Sequence, residues 1–135
     1  MDFILVKKSF SSSNYAKVLN NYDQNYFDAS LNLNNIIKKK SLDLGIKIQE
    51  ENIYCSGVFY EQNNDFEKKV EEFNVMGVEM EKFSLFANAK MLNREVACIL
   101  TVSDSFTFDK VLTSKQREQG LNDMILLALE SCLEI

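Results

Sequence analysis

The chain has 135 residues, of which 46% are hydrophobic, and it carries a formal net charge of −5 at pH 7. This length suits one domain with a sizeable core, and the acidic balance argues against nucleic-acid binding through a patch that neutralises phosphates. Because the chain contains no histidine, Ser-His triads, Cys-His pairs and most zinc sites are excluded, and any acid or base must be a carboxylate supported by Lys, Arg or Tyr.

The first third of the chain predicts two strands and one helix. The stretch DFILVKKSF enters a strand almost at once, and YFDAS predicts a second, short strand. Between them, the polar, Asn-rich SSSNYAKVLNNYDQN is typical of a loop or a partly ordered excursion. From Ser30 onward, apolar residues at helical spacing predict a helix that ends near Gly45 as its C-cap. The basic run KKK at 38–40 is expected at the exposed C-terminal end of that helix.

The middle of the chain predicts a strand, a helix, a second strand and a second helix. IKIQEENIYCSGVFY is rich in residues that favour extended structure, and NNDFEKKVEEFNV has the spacing of an amphipathic helix. VMGVEM then predicts a short strand. EKFSLFANAKMLN predicts a helix whose buried face is formed by Leu85, Phe86, Ala89 and Leu92.

The last third predicts one strand and one long helix. EVACILTVSD is a continuous apolar run, typical of a strand buried on both faces of a parallel sheet. The final helix is expected to begin with a capping box formed by Thr113 and Gln116. Its predicted apolar stripe consists of Leu121, Met124, Ile125, Ala128 and Cys132. Strands that alternate with helices predict a single α/β domain over residues 1–135, with a mainly parallel (mixed) sheet flanked by helices.

The cysteines and glycines indicate the cellular setting. Cys55, Cys98 and Cys132 lie in apolar runs without CxxC spacing, which is typical of reduced core residues in a cytoplasmic protein. No secretory signal is visible, and the longest apolar run, near VACILTV, is too short to cross a bilayer. The four glycines form neither a GxGxxG pattern nor a P-loop. We therefore expect a cytoplasmic protein without membrane or nucleic-acid partners and without a metal.

Two predicted strand ends carry carboxylates, and ligands of open α/β sheets bind at the carboxyl ends of strands. Glu79 and Glu81 follow one strand, and Asp104 follows Ser103 at the end of another. Alternate residues of an extended segment share a face, so Glu79 and Glu81 are expected to point the same way. Burial in an apolar site raises the pKa of a carboxyl group, which suits an acid that works near neutral pH.

Each of these residues also has a purely structural interpretation. A Ser-Asp pair after a strand is often a turn or a helix cap, and Glu81 at a helix start favours the positive end of the helix dipole. Met80 and Phe59 belong to residue types that are more often core than ligand contacts. Arg117, in the first turn of the last helix, goes against the dipole preference, which is a weak indication of a function.

Taken together, several motifs resemble the C-terminal part of the hexameric, bacterial-type purine nucleoside phosphorylases. These motifs are GVEME, TVSD, an arginine thirteen residues after that aspartate, and NDMILLALES. The segment around NIYCSGVFY is similar to the family's strand before the base pocket. The resemblance covers nearly the whole chain from about Leu44 onward and the preceding part more loosely. It implies a phosphorylase/hydrolase-like α/β fold that is incomplete at the N-terminus.

The resemblance also implies a role for each candidate residue. Asp104 would be the general acid that protonates purine N7 as the glycosidic bond breaks, and Arg117 would move toward Asp104 and assist. The implied substrate-binding residues are Glu81 on the ribose hydroxyls, Met80 beneath the sugar, Glu79 bordering it, Phe59 stacked on the base and Ser103 alongside the base. Departure of a purine leaves an oxocarbenium-like sugar, so the leaving group needs a proton and the sugar a nearby negative charge.

The chain departs from this family in its phosphate-binding portion. A glycine-rich phosphate loop, two phosphate-binding arginines, a phosphate-contacting serine and the histidine and arginine from a neighbouring subunit have no counterpart here. Phosphate is the expected co-substrate, and no cofactor is expected. A sheet deprived of its first strands exposes edges and apolar surface, so we expect self-association into a homo-oligomer.

Three functions stay open at this point. The chain could catalyse purine nucleoside phosphorolysis, it could be a catalytically silent remnant that binds nucleoside weakly, or it could be a nucleosidase that uses water. Arg117 and the last helix count against the nucleosidase.

Overall fold

In the computed structural model, five strands and five helices follow one another along the chain, and the structure describes residues 2–58, 66–105 and 112–135. In chain order the elements are β1 Phe3–Phe10, α1 Tyr15–Asn20, β2 Tyr26–Asp28, α2 Leu31–Leu44, β3 Ile48–Cys55, α3 Phe66–Phe73, β4 Gly77–Glu79, α4 Lys82–Met91, β5 Ile99–Thr101 and α5 Ser114–Cys132. Most predicted elements are confirmed. The exception is α1, because the segment predicted as a loop contains this short helix, whose Ala16 side chain is buried.

The strands form one mixed sheet of five strands in the order β2-β1-β3-β4, with β5 paired to β1. This confirms the predicted mixed α/β architecture. β1 runs antiparallel to β2 and to β5, whereas β3 and β4 are parallel. The prediction of a parallel strand at ILT is therefore wrong, since Ile99 lies opposite Leu5 and Thr101 opposite Phe3 in antiparallel register. β5 is short and only half-buried, and an apolar run contains no information on strand direction.

The chain divides into two compact units, and two of the four boundaries between them fall within β1 and β3. One unit comprises Met1–Leu5, Leu31–Glu50 and Ile99–Ile135, and the other comprises Val6–Ser30 and Glu51–Cys98. We refer to them as the α2–α5 unit and the aromatic unit. The expectation of one domain over the whole chain stays a prediction.

In the α2–α5 unit, helix α5 packs against α2 and β5. α2 ends as predicted before Gly45, which has the left-handed φ of +68° that favours glycine. The basic run does not lie at the end of α2, because the helix continues to Leu44. Instead, Lys38 lies 3.4 Å from Glu50 and Lys40 lies 3.0 Å from Glu134 at the end of α5.

The packed side of α5 differs from the predicted one. Leu127 and Ser131 are buried, and the Ser131 hydroxyl donates to the Leu127 carbonyl. Of the predicted stripe, only Met124 is partly buried, and it accepts a hydrogen bond from Thr101 at 3.2 Å. The other predicted positions are exposed, namely Leu121, Ile125, Ala128 and Cys132. α5 therefore carries apolar residues on two sides, and only one of these sides is packed within the unit.

The aromatic unit takes its core from rings on several elements. Phe27 of β2 packs against Phe83 of α4 with ring centroids 5.1 Å apart, and Phe73 of α3 contacts both Phe10 and Tyr54. Contact with Phe27 turns α4 so that Phe83, Phe86 and Ala87 are buried. Of the face predicted for α4, only Phe86 is buried; Ala89 is half-buried, and Leu85 and Leu92 are exposed.

Cys55, Cys98 and Cys132 are not disulfide-bonded, and they differ in burial. Cys55 on β3 is buried and Cys98 is half-buried, but Cys132 lies on the exposed side of α5, so its predicted place in the core is wrong. Among the helices of the described residues, none combines the length and the apolar character that a membrane span requires.

Candidate functional site

The junction between β4 and α4 brings together the ends of two parallel strands and the start of a helix. β4 pairs in parallel with β3, with Cys55 opposite Glu79. The ladder is extended by one bond, in which the Ser56 amide donates to the Glu79 carbonyl at 2.8 Å. β4 ends at Glu79 and α4 begins at Lys82. The motif GVEME therefore lies at the carboxyl end of a strand, as its sequence predicts.

Glu79 is bound to the start of the helix. Its Oε2 accepts hydrogen bonds from the backbone amides of Glu81 at 2.6 Å and Lys82 at 2.8 Å. Only 11% of its side chain is exposed, and its Oε1 is buried with no hydrogen-bond partner in the described part of the chain. Oε1 is thus withdrawn from solvent, and Oε2 is engaged by two backbone donors.

Glu81, in contrast to Glu79, has a side chain that is exposed and not bound to the helix start. It occupies the N-cap position of α4, but its side chain makes no capping hydrogen bond, and 74% of that side chain is exposed. Because β4 ends at Glu79, the alternation of an extended strand does not apply to Glu81, and the two carboxylates do not share an environment. Lys82 lies close to both, with Nζ 3.7 Å from Glu81 Oε2 and 3.9 Å from Glu79 Oε2.

Met80, between the two glutamates, is exposed, and so is Val78, which lies on β4. This exposure does not fit the alternative in which Met80 is a core residue. An exposed methionine beside an exposed carboxylate offers an apolar and a charged surface next to each other, which is a combination suited to the face and hydroxyls of a sugar.

The cysteines near this junction are not nucleophiles near neutral pH. Burial raises the pKa of the Cys55 thiol to about 12, and the negative charge of Glu79 adds to the shift. Burial likewise raises the pKa of Cys98 to about 11, although the positive charge of Lys82 counteracts this. Since the thiolate is the reactive form, neither thiol is suited to covalent catalysis.

The predicted acid lies in the other unit. Asp104 follows β5 and is exposed, and the Ser103 hydroxyl donates to its Oδ2 at 3.2 Å. The Ser103 carbonyl in turn accepts from the amide of Leu112 at 3.3 Å, which connects the strand end to the start of α5. The structure thus brings Ser103 and Asp104 into direct contact, as their adjacency in the sequence allows.

Arg117 lies in the first turn of α5, as predicted, but its guanidinium is bound elsewhere. Its Nε and Nη2 both donate to the Leu112 carbonyl, at 3.1 and 3.0 Å. The ion pairs within residues 2–58, 66–105 and 112–135 include none between Arg117 and Asp104. The guanidinium is therefore engaged by a backbone carbonyl and not by the predicted acid.

The candidate residues thus form two groups. Glu79, Met80 and Glu81 belong to the aromatic unit, and Ser103, Asp104 and Arg117 belong to the α2–α5 unit. Phe59, the predicted base-stacking residue, lies outside the described residues. Lys82 is a further residue of this junction that the sequence motifs did not indicate, although its position directly after Glu81 is a signal that could have identified it.

Comparison with known proteins shows where the chain belongs. It matches the phosphorylase superfamily over residues 2–129. The chain belongs to this superfamily. The chain is 31% identical to the DeoD-type purine nucleoside phosphorylase of Mycoplasma genitalium, in an alignment that covers 96% of the chain. It is also 31% identical to that of Mycoplasma pneumoniae, with 99% of the chain covered. These matches confirm the resemblance to the purine nucleoside phosphorylases, but the chain spans only 55% and 57% of the length of these two relatives.

Solved structures confirm the fold of the superfamily. A 5′-methylthioadenosine/S-adenosyl homocysteine nucleosidase from Campylobacter jejuni superposes on 99% of the chain with a TM-score of 0.86 and 16% sequence identity. A futalosine hydrolase mutant from Helicobacter pylori superposes on 99% of it with a TM-score of 0.78 and 14% identity. The chain covers 62% and 60% of these two structures, respectively.

Proposed function

We propose that this chain provides the nucleoside-binding and leaving-group part of a purine nucleoside phosphorylase, the class of its sequence relatives. The observation that carries this proposal is the exposed carboxylate of Glu81, which follows β4 in the motif GVEME while Glu79 is occupied by the backbone. An exposed carboxylate that is not used as a cap can accept hydrogen bonds from the two hydroxyls of a ribose. Met80, exposed beside it, would pack beneath the sugar.

The chemistry proposed for Asp104 is proton donation to purine N7 while the bond between C1′ and the base breaks. The departing base takes both electrons of that bond, the proton neutralises it, and phosphate oxygen forms the new bond to C1′. Asp104 is exposed and already accepts from Ser103, so it can meet a bound base. Arg117 would assist after exchanging the Leu112 carbonyl for Asp104, and Phe59 would stack on the base.

Phosphate is the co-substrate in this proposal, with no other cofactor. The residues that the family resemblance assigns to phosphate have no counterpart among the 135 residues, and the chain spans about half of its relatives. We therefore propose that the chain alone binds purine nucleosides and shows little or no phosphorolysis. The absence of the residues that the resemblance assigns to phosphate also supports the second candidate, a catalytically silent remnant.

The exposed apolar side of α5 supports self-association. Leu121, Ile125, Leu129 and Leu133 follow one another at intervals of four residues, so they lie along one side of the helix, and all four are exposed. Monomeric soluble proteins rarely expose contiguous apolar patches larger than a few hundred Å². We propose that this side of α5 is the contact surface of a homo-oligomer.

Self-association is tested by sedimentation of Leu129→Lys, a change of a residue that is 64% exposed on this side of α5. The matched control is Leu42→Lys on α2, where the leucine is 82% exposed. We expect the α5 variant to become monomeric at concentrations at which the control and the wild type are oligomers. A monomeric wild type, or dissociation by both variants alike, would contradict the proposed surface.

The function is tested by incubating the purified chain with inosine and adenosine, with and without phosphate, and by titrating both nucleosides in a binding assay. We expect binding without substantial release of base. Phosphate-dependent release would show that a phosphate site exists in the chain or its oligomer. Release that is independent of phosphate would instead favour a nucleosidase, and no binding of either nucleoside would contradict the proposed nucleoside-binding role.

A further inference from the structure

Glu79 joins three elements of the aromatic unit through its backbone and its side chain. Its carbonyl accepts from the Ser56 amide at 2.8 Å, which connects it to the end of β3. Its Oε2 accepts from the amides of Glu81 and Lys82, at 2.6 and 2.8 Å, at the start of α4. A single residue at the end of β4 therefore fixes the relative position of two strand ends and a helix start.

The start of α4 requires such an acceptor. The first amides of a helix have no partner within the helix, and the N-cap side chain usually accepts one of these hydrogen bonds. Glu81 occupies the N-cap with φ −127° and ψ −21°, but its side chain makes no such bond. The Glu79 carboxylate, two residues earlier, accepts instead from the amide of the N-cap residue Glu81 and from the first helical amide, that of Lys82. Its negative charge is favoured at the positive end of the helix dipole.

Little of the Glu79 side chain is open to a ligand, since only 11% of it is exposed. Oε2 is occupied by two short hydrogen bonds, and Oε1 has no contact with solvent. By contrast, 74% of the Glu81 side chain is exposed, two residues after Glu79. If the N-cap bond were made by Glu81 itself, its carboxylate would be turned back onto the helix start and lost to a substrate.

We propose that Glu79 is a positioning residue, not a sugar ligand: it holds the backbone amides of Glu81 and Lys82 at the start of α4 and thereby keeps the Glu81 carboxylate exposed and free to bind. The consequence for Glu81 rests on the proposed function, whereas the capping role does not. Removal of the Glu79 carboxylate would release the backbone at Glu81 and Lys82, so the Glu81 carboxylate would no longer be held in one position.

Three substitutions separate positioning from ligand binding. In Glu79→Gln the amide oxygen keeps two acceptor sites, so both backbone bonds can persist without the charge. Glu79→Met has a side chain of similar length without a good acceptor, so the cap is lost. Glu81→Gln leaves the cap intact and removes only the exposed charge. Glu72→Met on the exposed surface of α3 is the control for the loss of a carboxylate.

The capping role is measured by hydrogen exchange of the Glu81 and Lys82 amides in the ligand-free chain. Loss of a cap accelerates exchange roughly five- to thirtyfold, which we expect for Glu79→Met, with a change of less than about threefold for Glu79→Gln and Glu72→Met. Unchanged exchange at both amides in Glu79→Met would overturn the proposal.

Positioning is measured by titration of the same variants with inosine and adenosine. We expect Glu79→Gln to bind within about threefold of the wild type, and both Glu79→Met and Glu81→Gln to bind at least roughly tenfold more weakly. Equal weakening by Glu79→Gln and Glu79→Met would identify Glu79 as a ligand and overturn the proposal. No binding by the wild type would refute the proposed function instead, and hydrogen exchange alone would then decide the role of Glu79 at this junction.

Discussion

The β4–α4 junction and the segment from β5 to α5 both place carboxylates after a strand, but they hold them in different ways. At the junction, Glu79 is buried and accepts two backbone hydrogen bonds shorter than 3 Å, and Glu81 is left exposed beside it. After β5, Asp104 is exposed and accepts one longer bond, from the neighbouring Ser103. The Glu79 carboxylate is thus fixed by backbone donors, whereas the Asp104 carboxylate accepts from a neighbouring side chain.

The difference corresponds to two stages of the proposed reaction. A sugar ligand is useful when it is already in place, because preorganised groups require no rearrangement when charge develops. By contrast, the proposed acid Asp104 and the assisting Arg117 act on a purine that reaches them only when the nucleoside binds. Arg117 is bound to the Leu112 carbonyl through two nitrogens and makes no ion pair with Asp104 in the part of the chain that the structure describes. The comparison therefore predicts that substrate orders the second region more than the first.

The largest expected effect concerns the acid. In Asp104→Asn the group that donates the proton is lost, while the exposed position keeps its size and its polarity. Any release of base by the chain should fall by about 10²–10⁴-fold, the usual contribution of a general acid, whereas nucleoside binding through Glu81 should change little. Chromatography of the released base after long incubation at high protein concentration measures the first quantity. Unchanged release in this variant would remove Asp104 from the acid role.

Local features of the fold could be predicted from the sequence because short-range chemistry determines them. Gly45 ends α2 because few other residues accept a positive φ, and Thr113 with Gln116 forms the predicted capping box in both directions. The motif GVEME was correctly placed between a strand and a helix. In each case the residues that decide the structure are within a few positions of one another.

Features that depend on distant residues could not be predicted in this way. α4 carries apolar residues on most sides, so its periodicity does not select a face, and packing of Phe83 against Phe27 does. The same holds for α5, which buries Leu127 on a side that the predicted stripe did not include. The separate environments of Glu79 and Glu81 depend on the residue at which α4 begins, and helix ends are uncertain by one or two residues in any sequence pattern.

A second prediction compares the thiols of the two regions by their reactivity. The pKa of Cys55 is about 12, so at pH 8 the fraction of this residue present as thiolate is about 10³-fold smaller than for an unperturbed cysteine. The pKa of Cys98 is about 11, and its thiolate fraction is about 10²-fold smaller. Iodoacetamide should therefore label the exposed Cys132 first. Raising the pH should accelerate labelling of Cys55 and Cys98 about tenfold per unit until their pKa values are reached. Rapid labelling of all three thiols at pH 8 would show that the junction is not packed as described.

The smallest effect concerns the second helix start. Thr113 caps α5 by accepting from the Gln116 amide at 3.2 Å, while Gln116 accepts from the Thr113 amide at 3.0 Å. Thr113→Ala should lower the free energy of unfolding by about 1 kcal/mol, measured by urea titration at one protein concentration, and Ser114→Ala, one position later, should lower it much less. Because Arg117 lies in the turn that this cap stabilises, the threonine variant should also loosen the contact between Arg117 and Leu112. Equal stabilities for the two variants would mean that α5 is held by its packing on α2 and β5 alone. The leaving-group region would then not depend on a helix cap, whereas the β4–α4 junction depends on Glu79.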